Sequence, residues 1–486
     1  MCKVLLSLLL VSMLLISCGG EDGGGGAVNQ TTTQASGIEE SVETIDPRLA
    51  VSDDLPDMDY NGYEFGILYP IWSNYELGLY FAEEETGDKL NDVIYARERD
   101  VEERFNVIIN PISCATIDEV FPQVSKAVMA GDEVYDMSLT HCISSLTELA
   151  TGSCLLDFNS LDALNLEKPW WNQKMNETLS VGGVLLFGVS DFIIPEPNVI
   201  YFNKEIHDNH NMEDMYEVVR SGKWTIDKMI EMAKIPSKDL NGDGVYDEND
   251  QYGVIAELDW MLISFMHASE QYVVEQLPGN PYPTLAMNTE KMGIIVNKVY
   301  DLLFSGNQAF TFGYQAANPW PLDLESGRAL FVLKGLNSAQ RLRNVDVDFG
   351  IIPFPKYDEF QQEYINNSWN GFMCIPNIAS DTERTAIIIE ALSAESHRYF
   401  VPAYYDILLT SKLARDDESQ EMLDIIYNSC VYDSGLNFSK FNAILYSIPQ
   451  LMQKKSTDFA SFYATNSTAM ETQLEKVYSA ILEYYS

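Results

Sequence analysis

The stretch from Tyr63 to Leu139 leaves this chain few folds to choose from. Tyr63, Phe65, Ile67 and Tyr69 alternate with other residues, the period of a strand with one buried face. Asp92 to Phe105 carries a helical pattern and runs directly into an apolar strand, Val107 to Ile109. Thr116-x-x-Glu119 has the form of a capping box, opening a helix that ends at Gly131. Tyr135, Met137 and Leu139 alternate again. Strand–helix–strand–helix–strand at this spacing requires right-handed βαβ units and a mainly parallel sheet. Open α/β sheets bind ligands at the carboxyl ends of their strands. Trp72 and Tyr75 follow the first strand at that end.

Further along, Val184 to Val189 is predicted to be a strand. It leads into Asp191-Phe192-Ile193-Ile194-Pro195-Glu196-Pro197. Two prolines between apolar runs fit a crossover between domains better than a helix. Val199 to Phe202 then runs extended. Thr225 caps a helix with Ile226, Met229, Ile230 and Ala233 on one face. Ser380-x-x-Glu383 has the form of a second capping box, and Glu418 to Tyr485 reads as mostly helical. About 430 of the 486 residues follow residue 57, too many for one core, so two domains are expected.

The N-terminus carries its own signal. Lys3 precedes an apolar run from Val4 to Ile16, too short to span a bilayer and of the length of a signal-peptide core. Leu15-Ile16-Ser17-Cys18 has the form of a lipobox, predicting a signal peptide over 1–17 and a lipidated Cys18. Two acyl chains there give stable anchoring where one is marginal. Residues 18–57 are Gly, Thr, Ser, Glu and Asp with few large apolar groups, predicting a flexible tether. With 73 acidic and 30 basic residues the net charge is −43, which opposes nucleic acid and anionic lipid surfaces. Cys2 and Cys18 belong to the signal. Cys114, Cys142, Cys154, Cys374 and Cys430 are odd in number and irregular in spacing, so no disulfide framework is expected. A Cys142–Cys154 bridge stays open.

An oxygen-rich loop runs Asp239-x-Asn241-x-Asp243-Gly244-x-x-Asp247-x-x-Asp250. Side-chain oxygens fall at positions 1, 3, 5, 9 and 12, with glycine at 6, the pattern of a Ca²⁺ loop. The Val245 carbonyl supplies position 7. Position 12 is Asp250 rather than the longer Glu, which shortens its reach. One structural Ca²⁺ is the expected cofactor.

Around this loop the sequence resembles a family. Tyr201-Phe202-Asn203-Lys204, then Gly222-Lys223-Trp224-Thr225 opening a helix, then the acidic loop ending in Tyr252-Gly253, looks like bacterial extracellular solute-binding proteins of ABC importers. The likeness continues through Ser326-Gly327-Arg328-Ala329, Phe349-Gly350-Ile351-Ile352-Pro353-Phe354-Pro355-Lys356, Ala403-Tyr404-Tyr405-Asp406 and Arg415-Asp416 to Met422-Leu423-Asp424. The resemblance implies an α/β, type II periplasmic-binding-protein fold, two α/β lobes joined by crossing hinge strands. Lobe one is then 58–193 plus 357–405, and lobe two 198–352 plus 406–486. The chain crosses near Asp191–Val199, Ile351–Lys356 and Pro402–Asp406.

The resemblance also implies a function. A small solute, most often a sugar, is held in the interlobe cleft and delivered to the permease subunits of an ABC importer. A monomer is expected on the outer face of the cytoplasmic membrane, held by its lipid alone. Sugar sites combine stacked aromatic rings with polar groups at the ring edges. Trp72, Tyr75, Asp191, Glu196, Trp260, Trp320, Trp369 and Asn370 are the candidates here, whereas Trp170, Trp171 and Trp224 are expected to pack. Two other functions stay open, a surface adhesion or sensing protein on the same fold and a glycan-active surface enzyme. No HExxH, GxSxG or P-loop is present, and no enzyme is expected. His207 and His210 lie three apart in what reads as a solvated loop.

Overall fold

A computed structural model describes residues 46–72, 79–313, 326–341, 346–369, 371–410, 417–440 and 443–485. The predicted signal peptide, Cys18, Tyr75, Trp320, Asn370 and Arg415-Asp416 lie outside the described residues. The strands are β1 (Tyr63–Pro70), β2 (Val107–Cys114), β3 (Met137–Thr140), β4 (Asn198–Asn203) and β5 (Tyr252–Glu257). The short pair β6 (Val274–Glu275) and β7 (Thr284–Leu285) follows, then β8 (Ala309–Phe312), β9 (Ala329–Gly335) and β10 (Phe349–Ile352). Last come β11 (Asn366–Asn367), β12 (Phe372–Cys374) and β13 (Cys430–Val431).

The first sheet has the order β12-β3-β1-β2. β1 runs parallel to β2 from Tyr63↔Val107 to Pro70↔Cys114, and parallel to β3 at Ile67↔Met137. These are the predicted βαβ units. β2 runs five residues longer than the apolar pattern suggested, through Pro111, which an edge strand tolerates. At mid-strand, a Cβ on Gly66 would lie 2.0 Å from the Val134 carbonyl oxygen, so only glycine lets that loop approach. The helix Lys89–Phe105 starts at Asp88, whose side chain accepts from the N–H groups of Leu90 and Asn91.

The two predicted capping boxes form differently. The Thr116 side chain makes no capping bond, and the Glu119 carboxylate accepts from Ala115 N–H at 3.0 Å ahead of the helix Val120–Ala130. At the second, Asp381 caps the helix Thr382–Glu395 through Arg384 N–H, while Ser380 Oγ donates to Glu133. An aspartate one residue on reaches the free N–H better than the serine. Residues 184–189 form no strand. They are buried and tied by single bridges, Val181↔Val184 and Gly188↔Met373.

The second sheet has the order β10-β4-β9-β5-β8. β5 is parallel to β8 and β9, whereas β4 is antiparallel to β9 and to β10. The crossover reaches it through β4, buried at every residue. The return comes later than Ile351–Lys356. Residues 353–364 stay with lobe two, where Trp224 Nε1 donates to the Pro353 carbonyl and Tyr364 hydroxyl to the Val219 carbonyl. The chain crosses at 366–369, where β11 pairs with β13 and Ser368 bridges Pro197, and β12 then joins the first sheet. The expected third crossing, Pro402–Asp406, lies inside the helix Val401–Thr410. Pro402 lacks an N–H, and the π-turn Ser396–Phe400 sits immediately before it.

The end of the expected tether is fixed. Pro47–Ala50 forms a 3₁₀ turn. Arg104 then grips Asp53 through two bonds of 2.8 and 3.1 Å, and Arg398 reaches the same carboxylate at 3.3 Å. Lys168 binds Asp54 at 2.6 Å and the Ser52 carbonyl at 2.7 Å. Burial raises the Asp53 pKa, but the Arg104 bond, the Leu55 N–H and the two guanidinium charges outweigh it, leaving the pKa at about 2. Composition alone could not foresee these partners, which lie 51 and 345 residues away.

Trp170, Trp171 and Trp224 are buried, and all five cysteines of the body are buried free thiols, so Cys142 and Cys154 are not bridged. His207 is also buried. It lies in the helix Lys204–Asn209 and donates from Nε2 to the Glu213 carbonyl at 2.8 Å, so it is not a solvated loop residue. Among the described residues no helix is long and apolar enough to cross a membrane.

Candidate functional site

The ends of the two sheets approach each other in a seam at Glu196, whose charge acts on Cys142 past the end of β3. From the lobe-two side, Glu196 sits just ahead of β4. Its N–H donates to Ser368 Oγ at 2.9 Å, and its carbonyl accepts from Trp369 N–H at 3.1 Å. Its carboxylate accepts from Asn337 Nδ2 at 3.0 Å, beyond the end of β9. Trp369 meets Trp260 edge to face, ring centroids 5.1 Å apart at 70°. The two differ in exposure. Trp260 is half-buried, whereas Trp369 is only 6% exposed and its Nε1 has no hydrogen-bond partner among the described residues. Trp369 thus backs Trp260 more than it offers an open face.

From lobe one, Trp72 stands half-buried past the end of β1 against His141 past the end of β3, centroids 4.3 Å apart at 73°. Asp191 is not part of this group. It accepts from His397 Nδ1 at 2.5 Å, and its N–H donates to the Trp170 carbonyl, which commits it to the packing of lobe one. Of the predicted binding residues, the structure gathers Glu196, Trp260 and Trp369 on one side and places Trp72 at the strand ends of the other.

Sequence reasoning missed several polar residues at strand ends. Glu257 closes β5, with Asp259 two residues on and Lys334 in β9. Burial and the Asp259 charge push the Glu257 carboxyl up to about 7, against the pull of Lys334. Burial also raises Asp259. Asn337 and His141 complete the set. Position at a strand's carboxyl end was the available signal for all of them.

Cys142 lies beside His141, Sγ to Nε2 3.8 Å, but burial and then Glu196 push its thiol well above the usual range. His141 is held down to about 4 by burial despite Asp118. A thiol this hard to ionise beside a neutral imidazole is no nucleophile. One cavity lies away from this seam and one borders it, through Tyr432, which bonds Ser368. One of about 530 Å³ lies between residues 53–56, 160–165 and 382–387. One of about 350 Å³ lies between residues 174–180, 272–283 and 431–434. Neither includes the aromatic pairs.

The acidic loop folds as a set of tight turns. Asp239 accepts from Gly242 and Gly244 N–H at 2.6 and 2.8 Å, Asp243 from Val245, and Asp247 from Asn249. Asp250, fully buried, accepts from Leu240 and Asp247 N–H at 2.9 and 3.0 Å, and these donors hold its carboxyl below the usual range. Gly244 takes φ +82°, as the sharp turn requires. Among the described residues no three His, Cys, Asp or Glu side chains converge as a metal set. The carboxylates accept the loop's own N–H groups instead of pointing to one centre.

No family model matches the chain, and no curated protein matches it in sequence. Solved structures do. The galacto-N-biose-/lacto-N-biose I-binding protein of the ABC transporter from Bifidobacterium longum superposes with a TM-score of 0.59. That match has 10% identity and covers 88% of this chain and 98% of that one. A cyclo/maltodextrin-binding protein complexed with maltotetraose gives 0.56 at 14% identity, covering 86% and 96%. UgpB from Mycobacterium tuberculosis, in complex with glycerophosphocholine, gives 0.54 at 14%, covering 78% and 95%. At such identities the likeness is one of fold. The chain therefore has the periplasmic-binding-protein fold, with two α/β lobes, as its sequence resemblance implied.

Proposed function

We propose that this protein is an extracellular solute-binding protein, lipid-anchored through Cys18, that captures a sugar or oligosaccharide between its lobes. It hands the sugar as a monomer to the permease subunits of an ABC importer. The observation that carries the reading is the Trp260–Trp369 pair set on the Glu196–Asn337 pair. The ring face of half-buried Trp260, backed by Trp369 and flanked by hydrogen-bonding groups, matches the two sides of a sugar. The fold supports it, since two of the compared binding proteins hold lacto-N-biose and maltotetraose. Three carboxylates, Glu196, Glu257 and Asp259, stand with one amine, Lys334, which disfavours anionic solutes. The acidic loop Asp239–Asp250, with the Val245 carbonyl, is proposed to close around one structural Ca²⁺ once the cation replaces its internal N–H donors.

A thermal-shift screen tests the function. Maltotetraose, lacto-N-biose and a cyclodextrin form one arm, and glycerophosphocholine the contrast. A saccharide at a hundred times its dissociation constant raises stability by about 2.7 kcal/mol without being consumed. A shift from glycerophosphocholine alone overturns the carbohydrate assignment, and turnover of a saccharide overturns the binding one.

A further inference from the structure

His141 is a lone histidine that neither composition nor motif singled out, yet its surroundings fix its chemistry. It follows β3 at the carboxyl end of the first sheet and is 6% exposed. Its Nδ1 accepts the N–H of Ile143 at 3.1 Å and of Ser144 at 3.0 Å. A ring nitrogen that accepts two N–H groups carries no proton, so the ring is neutral with its hydrogen on Nε2. The turn behind it is knit on all sides. Ser144 Oγ donates to Asp118, Thr140 Oγ1 to the Ser144 carbonyl at 3.3 Å, and Ser145 Oγ to the Ile117 carbonyl at 3.0 Å. Ser145 itself sits at φ +65°, a conformation such a network must hold. The ring therefore has one orientation, and its edge contact is with Trp72. The parallel register of β1 and β3, with Leu68 opposite Ser138, brings Trp72 level with the start of this turn.

We propose that His141 is a positioning residue for ligand capture, its ring locked by two backbone N–H donors so that it holds Trp72 as a fixed stacking face on lobe one. This deepens the carbohydrate-binding reading above and rests on it. A ring already held in place loses no rotamer freedom when a sugar docks, a saving of roughly two- to tenfold in affinity. Among the described residues, Asp118 across the turn and the Cys142 thiol face His141, with Glu196 beyond the thiol. Burial keeps the imidazole neutral down to about pH 4, so the platform keeps its shape through the range in which free histidine titrates.

The test uses the full chain labelled with 5-fluorotryptophan, the Trp72 resonance being assigned by its loss in Trp72→Phe. His141→Asn keeps an acceptor for the two N–H groups, because asparagine caps such turns, but removes the ring. The expected result is a shifted Trp72 resonance in ligand-free H141N, at a melting temperature near that of the native chain. The Trp72 resonance of the native chain moves with a midpoint near pH 4, and H141N shows no such step. Affinity for whichever saccharide the screen identifies falls roughly two- to tenfold in H141N. A folded H141N with an unmoved Trp72 resonance overturns the proposal. Should H141N not fold, the native chain alone decides, because fluorine relaxation that reports a freely reorienting Trp72 ring overturns the lock equally. Failure of every saccharide to bind the native chain counts against the carbohydrate reading, while the fluorine signals still rule on the His141–Trp72 lock.

Discussion

Glu390 is the most informative residue to change. It is fully buried, its Oε1 accepting from Trp170 Nε1 at 2.9 Å and its Oε2 from Trp171 Nε1 at 2.8 Å and Asn165 N–H at 3.3 Å. Burial raises its pKa to about 7, the two indole bonds, the Asn165 N–H and Lys168 resisting. The folded state thus holds the proton more tightly than the unfolded chain, whose glutamate titrates near 4.5. Its contribution is complete below pH 4.5 and drains as pH rises through 7, by about 3 kcal/mol at 1.36 kcal/mol per pKa unit. Glu390→Gln removes that dependence but turns an amide NH₂ toward an indole N–H, orphaning a donor at a cost of about 1–3 kcal/mol. The variant should be less stable than the native chain by about 2 kcal/mol at pH 5, and equal or more stable at pH 8. Urea unfolding at both pH values measures this, with near-ultraviolet dichroism reporting on the paired indoles. Glu98 and Glu257, also pushed up to about 7, keep their own slopes in both proteins, so the difference between the proteins is the quantity to read. An equal loss at both pH values would refute the raised pKa. No loss at pH 5 would refute the hydrogen-bond argument.

Four further outcomes are expected. Asp53→Ala frees Arg104 and Arg398 and should cost about 1–2 kcal/mol at pH 7, a loss that vanishes as pH falls through 2, where the native carboxylate is protonated. Unfolding at pH 7 and pH 2 checks it. Trp260→Ala should cost about 1–3 kcal/mol of saccharide affinity with little change in melting, whereas Trp369→Ala should cost about 3–5 kcal/mol of stability. Calorimetry and melting of both variants separate the two roles. Calcium in large excess should stabilise the native chain by about 1–3 kcal/mol and Asp243→Ala not at all, and an unmoved native melting temperature rejects the cation. Cys18→Ser should leave the membrane fraction or stay as an uncleaved precursor. Fractionation that finds it cleaved and still membrane-bound rejects the lipid anchor.

Local pattern and tertiary partner contributed unequally to what could be read. The βαβ units were legible because large apolar residues recur at every second position from Tyr63 to Tyr69, although the folded strand is buried on both faces from Phe65 to Leu68, and because the next helix ends at Gly131. The crossover was legible because two prolines forbid a helix there. The return was not. Residues 353–364 look like an exit from lobe two, and only bonds to Trp224 and Val219 hold them back. Pro402 looks like a helix stop, yet the π-turn before it lets the helix continue. In the site, Asp191 and Glu196 are five residues apart in one segment and read alike. A histidine 206 positions away takes the first, and an asparagine 141 away takes the second. Exposure was illegible for the same reason, since nothing local distinguishes a half-buried Trp260 from an almost buried Trp369.

The clip at Asp53 changes how a mechanical load enters the molecule. A pull along the N-terminal chain meets Arg104, Arg398 and Lys168 before it meets β1. Arg398 belongs to the same π-turn as His397, and His397 grips Asp191 where the crossover begins. Tension on the leash is therefore delivered to the turn that holds the root of the hinge.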